Sequence, residues 1–277
     1  MTSIYRKELT LSNGVAMPQL GLGVYKMTDP EETESAISYA LEVGYRAIDT
    51  AAIYENETET GNAIRQSGIP REELFITSKV WNNDQGYDET LRAFEVSLEK
   101  LGVSYLDLYL THWPVAGKFV DTYRAIERLY EEKLIRATGV SNHHAHHLKE
   151  LFKTANVQPM VNQIEVHPRL TQEPLREFCA EHGIVVTSWS PLARGKLMEH
   201  PTLLHIAAKH GKTTAQVIIR WHLQNGLVVI PKSVTPKRIK ENIEVADFEL
   251  TLEDMMTINA LNMDERTGTN PENYDTL

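Results

Sequence analysis

The chain has 277 residues, of which 28 are basic and 38 are acidic, so its formal net charge is −10. This balance argues against a nucleic-acid-binding surface, and no apolar run approaches the roughly 18 residues of a membrane span. Hydrophobic residues make up 42% of the chain, which is enough for a packed core and excludes extensive disorder. The single cysteine, Cys179, cannot form an intrachain disulfide, and the polar segment 1–10 lacks the hydrophobic region of a signal peptide. We therefore expect a soluble cytoplasmic protein.

Short apolar runs alternate with stretches of helical periodicity along the chain. A hairpin is expected first, because Asn13-Gly14 separates Glu8–Leu11 from Val15–Met17. Eight strands are then predicted at Leu20–Gly23, Ala47–Asp49, Leu74–Thr77, Leu106–Leu110, Ile135–Val140, Met160–Glu165, Ile184–Ser188 and Val228–Ile230. Eight helices are predicted near Glu31–Val43, Glu57–Gln66, Tyr87–Leu101, Asp121–Glu132, Ala145–Lys153, Glu173–His182, Thr213–Asn225 and Pro236–Glu244.

Regular alternation of strands and helices favours a parallel sheet, and eight such units close most economically into a (β/α)8 TIM barrel of about 250 residues. The alternative is an open, doubly wound sheet, which normally carries G-x-G-x-x-G at its first strand–helix turn. Here Gly21-Leu22-Gly23 lacks the third glycine and lies well before its helix, so this alternative is weaker. We expect one domain over residues 1–277 that ends in a loose, irregular tail from Asp264 to Leu277.

Active sites of such barrels lie at the carboxyl ends of the strands, and four polar residues fall there. They are Asp49, Tyr54, Lys79 and His112. Each has an ordinary structural explanation when it is taken alone, but together they suit proton transfer to a carbonyl group. A tyrosine has an unperturbed pKa of ~10, and a nearby ammonium is expected to lower it. The aspartate keeps the lysine charged, and the histidine orients the carbonyl oxygen.

Three segments resemble the signatures of the aldo-keto reductase family and occur in the same order. They are Gly44–Ala51 with Tyr54, then Leu106–Pro114, then Ile230–Ser233. The resemblance extends from Gly21 to the last helix and is strongest toward the branch of 2,5-diketogluconate, glyoxal and methylglyoxal reductases and prostaglandin F synthases. It implies an NADPH-dependent reductase in which the four polar residues form a catalytic tetrad.

The same resemblance implies a site for NADPH or NADP+ along the strand ends. Ser141, Asn142 and Gln163 match positions that hydrogen-bond the nicotinamide carboxamide, and Trp189 matches the aromatic residue that stacks on the nicotinamide ring. The pyrophosphate would follow Ser190, Pro191 and Leu192. The residues that match the adenosine end are Lys232, Ser233, Val234, Arg238, Glu241 and Asn242. Because Lys232 and Arg238 are cationic, we expect NADPH to be preferred over NADH.

Aromatic residues near the strand ends predict the wall of a substrate pocket. This wall would consist of Tyr25, Tyr54, Trp81, His112 and Trp113. The short loop Pro114–Val120 predicts an open pocket for small aldehydes, ketoacids or keto-sugars. Histidines 143, 144, 146 and 147 have the spacing of a helical metal site, but no carboxylate or cysteine joins them in the sequence. We therefore predict a solvated helix start and no metal.

Two other functions stay open. An NADPH-binding regulatory subunit would use the same barrel as a redox sensor and would bind the cofactor without turnover. A Schiff-base aldolase would use Lys79, but the neighbouring Asp49 opposes the neutral amine that this chemistry needs. We expect a monomer that acts on a small carbonyl compound, without a nucleic-acid or membrane partner.

Overall fold

The computed structural model of the protein describes residues 3–276, so Met1, Thr2 and Leu277, at the ends of the predicted N-terminal segment and tail, lie outside the described residues. An antiparallel pair comes first, formed by β1 (Glu8–Thr10) and β2 (Ala16–Pro18). Between them Gly14 has a φ of +88°, a left-handed conformation that glycine adopts without steric cost. The predicted hairpin is therefore present, with slightly shifted strands.

Eight parallel strands follow and form one curved sheet in which each strand pairs with the next one along the chain. They are β3 (Leu22–Gly23), β4 (Ala47–Asp49), β5 (Phe75–Val80), β6 (Leu106–Thr111), β7 (Ile135–Ser141), β8 (Val161–Glu165), β9 (Val185–Trp189) and β10 (Val228–Val229). Each coincides with a predicted strand, although β3 and β10 have only two residues. The chain thus has an α/β fold, as the alternation predicted.

Backbone hydrogen bonds connect the two ends of this sheet. The Gly21 amide donates to the Val229 carbonyl at 3.0 Å, and the Gly23 amide donates to the Pro231 carbonyl at 3.3 Å. In return, the Val229 amide donates to the Gln19 carbonyl at 2.9 Å. The first and last strands therefore run side by side, and all eight strands present their carboxyl ends on one rim.

Ten α-helices occur within residues 3–276, so the predicted number of eight is wrong. They are α1 (Pro30–Val43), α2 (Glu57–Gln66), α3 (Tyr87–Leu101), α4 (Phe119–Glu131), α5 (Ala145–Phe152), α6 (Glu173–Glu181), α7 (Pro201–His210), α8 (Thr214–Gln224), α9 (Pro236–Ile243) and α10 (Leu252–Asn259). None of the helices in this range is long and apolar enough to cross a membrane.

The two unpredicted helices, α7 and α10, carry ordinary helix signals. In α7, Leu203, Ile206 and Ala207 are buried at helical spacing. In α10, the Thr251 side chain accepts a hydrogen bond from the Asp254 amide, which forms a capping box. Both helices were missed because a regular alternation assigns a single helix to each strand.

The hairpin covers the amino ends of the strands. Its buried residues Leu11 and Met17 join a small apolar cluster with Ala47, Phe75 and Val161, which are the first residues of β4, β5 and β8. A second, larger cluster packs the helices against the sheet. Because apolar side chains fill the amino end, the opposite rim is free to carry a polar site.

The segment after residue 263 is irregular up to residue 270, as expected, but it is docked on the fold and not loose. Pro271–Thr276 forms a 3-10 helix. Before it, the backbone amides of Thr267 and Gly268 donate hydrogen bonds to the carboxylate of Glu165 at the end of β8. This acceptor lies about a hundred residues earlier in the chain, so no local pattern in the tail predicts the docking.

The close approach of β3 and β10 depends on a glycine. A Cβ atom at Gly23 would lie 2.8 Å from the Ile230 carbonyl oxygen. We predict that Gly23→Ala lowers the free energy of unfolding by about 1–3 kcal/mol, because the two strands must separate. Urea denaturation measures this loss, with Thr58→Ala at an exposed position of α2 as the control. A variant as stable as the control would contradict the tight contact between the first and last strands.

Candidate active site

The four polar residues predicted from the strand ends come together on one rim. Asp49 is the last residue of β4, Lys79 lies in β5, and His112 directly follows β6. Tyr54 closes the short 3-10 turn Ala52–Tyr54 that follows β4. Because β4, β5 and β6 are neighbours in the sheet, their side chains meet around one point.

A buried ion pair lies at the centre of this group. Lys79 is fully buried, and its Nζ donates to Asp49 Oδ1 at 2.5 Å and to the Thr50 carbonyl at 2.8 Å. Gln163 Nε2 donates to the other carboxylate oxygen of Asp49 at 2.7 Å. Burial lowers the pKa of Lys79, whereas the carboxylates of Asp49 and Glu57 oppose that shift. An ammonium at this depth depends on its partner, so Asp49 holds Lys79 in the charged form.

The phenol of Tyr54 lies within the field of this pair. The Lys79 Nζ is 5.1 Å from the Tyr54 ring centroid, and the rings of Tyr25 and His112 lie at 5.0 and 5.8 Å. Burial, the Asp49 carboxylate and Tyr25 raise the pKa of Tyr54 well above its usual value. The expectation that Lys79 lowers this pKa is therefore wrong for the resting protein, because burial of the phenol and the Asp49 carboxylate raise it. Tyr54 is held as a neutral phenol.

A buried asparagine fixes the loop that carries Tyr54. The Asn56 amide nitrogen donates to the carbonyls of Val24 and Met27 at 2.9 and 3.1 Å, and its amide oxygen accepts from the Thr50 hydroxyl at 2.8 Å. Sequence reasoning missed this positioning role. Two of its partners lie in the loop that follows β3 and the third directly follows β4, and no local spacing shows that these loops meet at Asn56.

His112 is held as a neutral imidazole. It is only 7% exposed, and burial together with the Lys79 ammonium lowers its pKa well below the usual value. The ring stands edge-on to Trp81, with centroids 5.2 Å apart, as well as to Tyr54. A neutral imidazole carries one N–H, so His112 can donate a single hydrogen bond to a ligand oxygen.

A cavity of about 330 Å³ opens beside Tyr54 and His112. The predicted substrate-pocket residues all line it, namely Tyr25, Tyr54, Trp81, His112 and Trp113. Of the predicted cofactor residues, those that line the same cavity are Ser141, Asn142, Gln163, Trp189, Ser190, Pro191 and Lys232. Asp49 also borders the cavity, whereas Lys79 lies behind it.

Hydrogen bonds between neighbouring strand ends order one wall of this cavity. Asn142, whose φ is +62°, donates from Nδ2 to the His112 carbonyl at 3.0 Å and accepts from Trp189 Nε1 at 2.8 Å. The Ser141 hydroxyl donates to the Gln163 carbonyl at 2.8 Å. Within residues 3–276 the side-chain oxygen of Gln163 has no hydrogen-bond partner, so it remains available to a ligand.

A second cavity of about 970 Å³ continues the first along the strand ends. The two share Tyr25, Ser190, Pro191, Arg194 and Lys232. The second also holds the remaining predicted cofactor residues, which are Leu192, Ser233, Val234, Arg238, Glu241 and Asn242.

Three cations line this groove without a partner in the described part of the chain. Arg194, Lys232 and Arg238 form neither an ion pair nor a side-chain hydrogen bond with residues 3–276. Arg194 lies where the two cavities join. Unpaired guanidinium and ammonium groups along a groove suit a ligand that carries several phosphates.

The C-terminal tail contributes a further wall, which sequence reasoning missed. Gly268 and Thr269 line the first cavity. A Cβ atom at Gly268 would lie 2.4 Å from Trp189 Cη2, so glycine lets the backbone pack on the indole. The fully buried Glu165 anchors this contact, since it accepts from the Thr267 amide at 2.7 Å and hydroxyl at 2.5 Å. The tail is thus part of the site.

The fold and the cavities define the general class first: an α/β protein with two adjoining cavities at the carboxyl ends of a parallel sheet. Residues 19–263 match the sequence profile described as the aldo/keto reductase family. The chain is 55% identical to the glyoxal reductase of Bacillus subtilis over 272 residues, which cover 98% of this chain and 99% of that protein. The chain belongs to the aldo/keto reductase family.

Two further comparisons agree with this membership. The chain is 55% identical over 269 residues to the 9,11-endoperoxide prostaglandin H2 reductase of Trypanosoma cruzi, with 96% of this chain and 95% of that protein covered. The crystal structure of a Bombyx mori aldo-keto reductase in complex with NADP matches with a TM-score of 0.93 at 34% identity, covering 98% of each chain. The similarity therefore extends over the whole fold.

The docking of the tail should depend on pH. Burial alone would raise the pKa of Glu165, but hydrogen bonds from His167 and Thr267 outweigh it and leave the pKa below its usual value. Docking therefore favours the carboxylate: its contribution is complete above the usual glutamate value of about 4.3 and is lost as the pH falls from there through the lower pKa of the folded protein. We predict that amide exchange of Thr267 and Gly268, corrected for intrinsic rates, is steady down to about pH 5 and accelerates below about pH 4.

The matched variants are Glu165→Gln and Glu177→Gln, the second at an exposed position of α6. Hydrogen exchange with mass spectrometry should show a pH-independent tail in Glu165→Gln and wild-type behaviour in Glu177→Gln. The same pH dependence in all three proteins would show that Glu165 does not anchor the tail.

Proposed function

We propose that the protein is an NADPH-dependent carbonyl reductase that reduces small aldehydes and ketones, with Tyr54 as the proton donor. The observation that carries this proposal is the neutral Tyr54 phenol beside His112 on the cavity wall, with the Asp49–Lys79 ion pair behind it. Membership of the aldo/keto reductase family supports it. We further propose that a single (β/α)8 barrel domain over residues 1–277 carries the site.

Reduction of a carbonyl group needs a hydride at the carbon and a proton at the oxygen. NADPH supplies the hydride when it is bound. Tyr54 delivers the proton from its hydroxyl, and the His112 imidazole donates a hydrogen bond that orients the same oxygen. Tyr54 acts as a protonated phenol and His112 as a neutral imidazole. The raised pKa of Tyr54 and the lowered pKa of His112 favour these two forms at neutral pH.

Lys79 acts on Tyr54 through its charge. Its ammonium lies 5.1 Å from the phenol ring and stabilises the phenolate as the proton leaves. Asp49 keeps that ammonium charged without exposing it to water. This arrangement argues against a Schiff-base aldolase, because the amine is ion-paired and fully buried and so cannot attack a substrate.

The groove suits the rest of the dinucleotide. We assign the nicotinamide carboxamide to Ser141, Asn142 and Gln163, and the face of the nicotinamide ring to Trp189. The pyrophosphate is assigned to the backbone of Ser190, Pro191 and Leu192 together with Arg194. The adenosine end is assigned to Lys232, Ser233, Val234, Arg238, Glu241 and Asn242. The three unpaired cations support this assignment, since NADPH carries three phosphate groups.

The substrate pocket suits small carbonyl compounds. Its aromatic wall and its volume of about 330 Å³ leave room for a compact aldehyde beside the bound nicotinamide ring. The relative from Bacillus subtilis is named a glyoxal reductase, which supports α-oxoaldehydes as substrates of this chain. Methylglyoxal with NADPH is therefore the first assay. Tight NADPH binding without turnover of any aldehyde or ketoacid would contradict the reductase and would favour a redox-sensing subunit.

We predict that Tyr54→Phe lowers kcat for methylglyoxal by ~10²–10⁴, because the proton donor is removed. NADPH binding, followed by fluorescence titration, should remain within a few-fold of wild type. Tyr39→Phe, which removes a hydroxyl from a half-buried tyrosine of α1, is the matched control. A loss of less than tenfold in Tyr54→Phe would mean that another group donates the proton.

Arg238 should determine the choice between NADPH and NADH. It lies in the first turn of α9, close to Lys232, and only NADPH carries a 2′-phosphate for these cations to bind. We predict that Arg238→Ala reduces the kcat/KM ratio of NADPH to NADH by about ten- to hundredfold, since one charge-assisted hydrogen bond contributes ~1.5–3 kcal/mol. Lys237→Ala, a neighbouring exposed cation paired with Glu241, is the control. An undiminished preference in Arg238→Ala would place the 2′-phosphate elsewhere.

A further inference from the structure

We propose that His144, His146 and Glu272 form a binding site for Zn²⁺ that fastens the C-terminal tail to the start of α5. One ligand atom from each residue lies within 4.8 Å of the other two. In the part of the chain that the structure describes, this is the one such group of three histidine, cysteine or acidic side chains. Two imidazoles and a carboxylate are a ligand set that zinc commonly takes.

The tail supplies the ligand that the local sequence lacks. His144 directly precedes α5 and His146 lies in its first turn, where the sequence shows histidines but no carboxylate. Glu272 arrives from 128 residues further along the chain, in the 3-10 helix Pro271–Thr276. We expected no metal at these histidines because no carboxylate joins them in the sequence. In the folded protein Glu272 supplies that carboxylate.

The distances suit a shared cation. The Nδ1 atoms of His144 and His146 lie 2.5 and 3.6 Å from the same oxygen of Glu272. Ligand atoms in a tetrahedral zinc site are roughly 3.3 Å apart when the bonds are about 2.0–2.1 Å long. The two distances lie on either side of this value, so small side-chain rotations bring all three atoms into coordination.

The surroundings of His144 allow zinc to replace the proton that it shares with Glu272. Arg266 donates to His144 Nε2 at 3.2 Å, so in the metal-free protein the ring proton lies on Nδ1. When zinc occupies Nδ1, that proton moves to Nε2. Arg266 then keeps its second contact, the side-chain oxygen of Gln172 at 3.3 Å.

The site opens to solvent on one side. The side chains of His146 and Glu272 are 61% and 46% exposed, so a cation can enter and water can fill the fourth position. Imidazole ligands favour zinc and similar transition metals, whereas Mg²⁺ prefers an all-oxygen shell. Zn²⁺ should therefore bind and Mg²⁺ should not.

Occupation of this site would fix one wall of the cavity. Glu272 lies four residues after Gly268, which packs on Trp189, and three after Thr269, which lines the cavity. Glu165 holds the tail at Thr267, and a metal that joins α5 to Glu272 would hold the same segment five residues further along the chain. Zinc should therefore rigidify the tail.

The test uses the untagged full-length chain, because a histidine tag would itself bind zinc. Zn²⁺ is titrated in competition with a chromophoric chelator, and amide exchange over residues 264–273 is measured with and without the metal. We expect one zinc per chain at micromolar concentration, no displacement by Mg²⁺, and at least tenfold slower exchange in the tail. His146→Ala and Glu272→Gln should each weaken zinc binding at least tenfold, whereas His205→Ala, at an exposed histidine of α7, should not.

Undiminished zinc binding in both variants would overturn the site, as would the absence of stoichiometric binding in wild type. Zinc binding without slower exchange in the tail would overturn the fastening role. Both substituted residues are solvent-exposed, and a thermal melt of each variant confirms that it is folded. None of these readouts requires enzymatic turnover, so the result is independent of the proposed reductase function.

Discussion

The ion pair between Lys79 and Asp49 is the constraint on which the site depends. A fully buried ammonium is tolerated only when a carboxylate stays within contact distance, and the two residues lie on neighbouring strands whose pairing sets that distance at 2.5 Å. The pair fixes the strand ends, and Gln163 extends it across the sheet to β8. Removal of either partner would leave a buried charge without compensation. The stability of the fold and the chemistry of the rim therefore both depend on this ion pair.

The electrostatic consequences of the pair explain the protonation states around it. Burial together with the Asp49 carboxylate keeps the proton on Tyr54, and burial together with the Lys79 ammonium keeps His112 neutral. The phenol of Tyr54 therefore carries its proton in the resting protein. The Lys79 ammonium stabilises the negative charge that develops on the phenol oxygen when the proton leaves. Asn56 holds the loop that carries Tyr54, and Glu165 holds the C-terminal tail.

The sequence predicted what is periodic or adjacent in the chain. Apolar strand runs, the hairpin at Asn13-Gly14 and the polar residues that follow β4, β5 and β6 were all visible, because parallel strands bring their carboxyl ends to one edge. It did not predict α7 and α10, which interrupt the regular alternation. It also missed the contacts of segments outside the regular alternation, including the tail on Glu165 and Glu272 beside the histidines of α5. The raised pKa of Tyr54 escaped prediction because its largest cause is the burial of the phenol, which depends on tertiary packing.

The most direct test of this account is the ionisation of Tyr54 in the cofactor-free protein. Carbon-13 labelling of tyrosine Cζ, with Tyr54→Phe to assign the resonance, follows the phenol through a pH titration by NMR. We expect Tyr54 to remain protonated beyond the usual tyrosine pKa of about 10, after exposed tyrosines have ionised. A phenolate that forms near neutral pH would contradict it, since Lys79 would then dominate Tyr54 despite its pairing with Asp49.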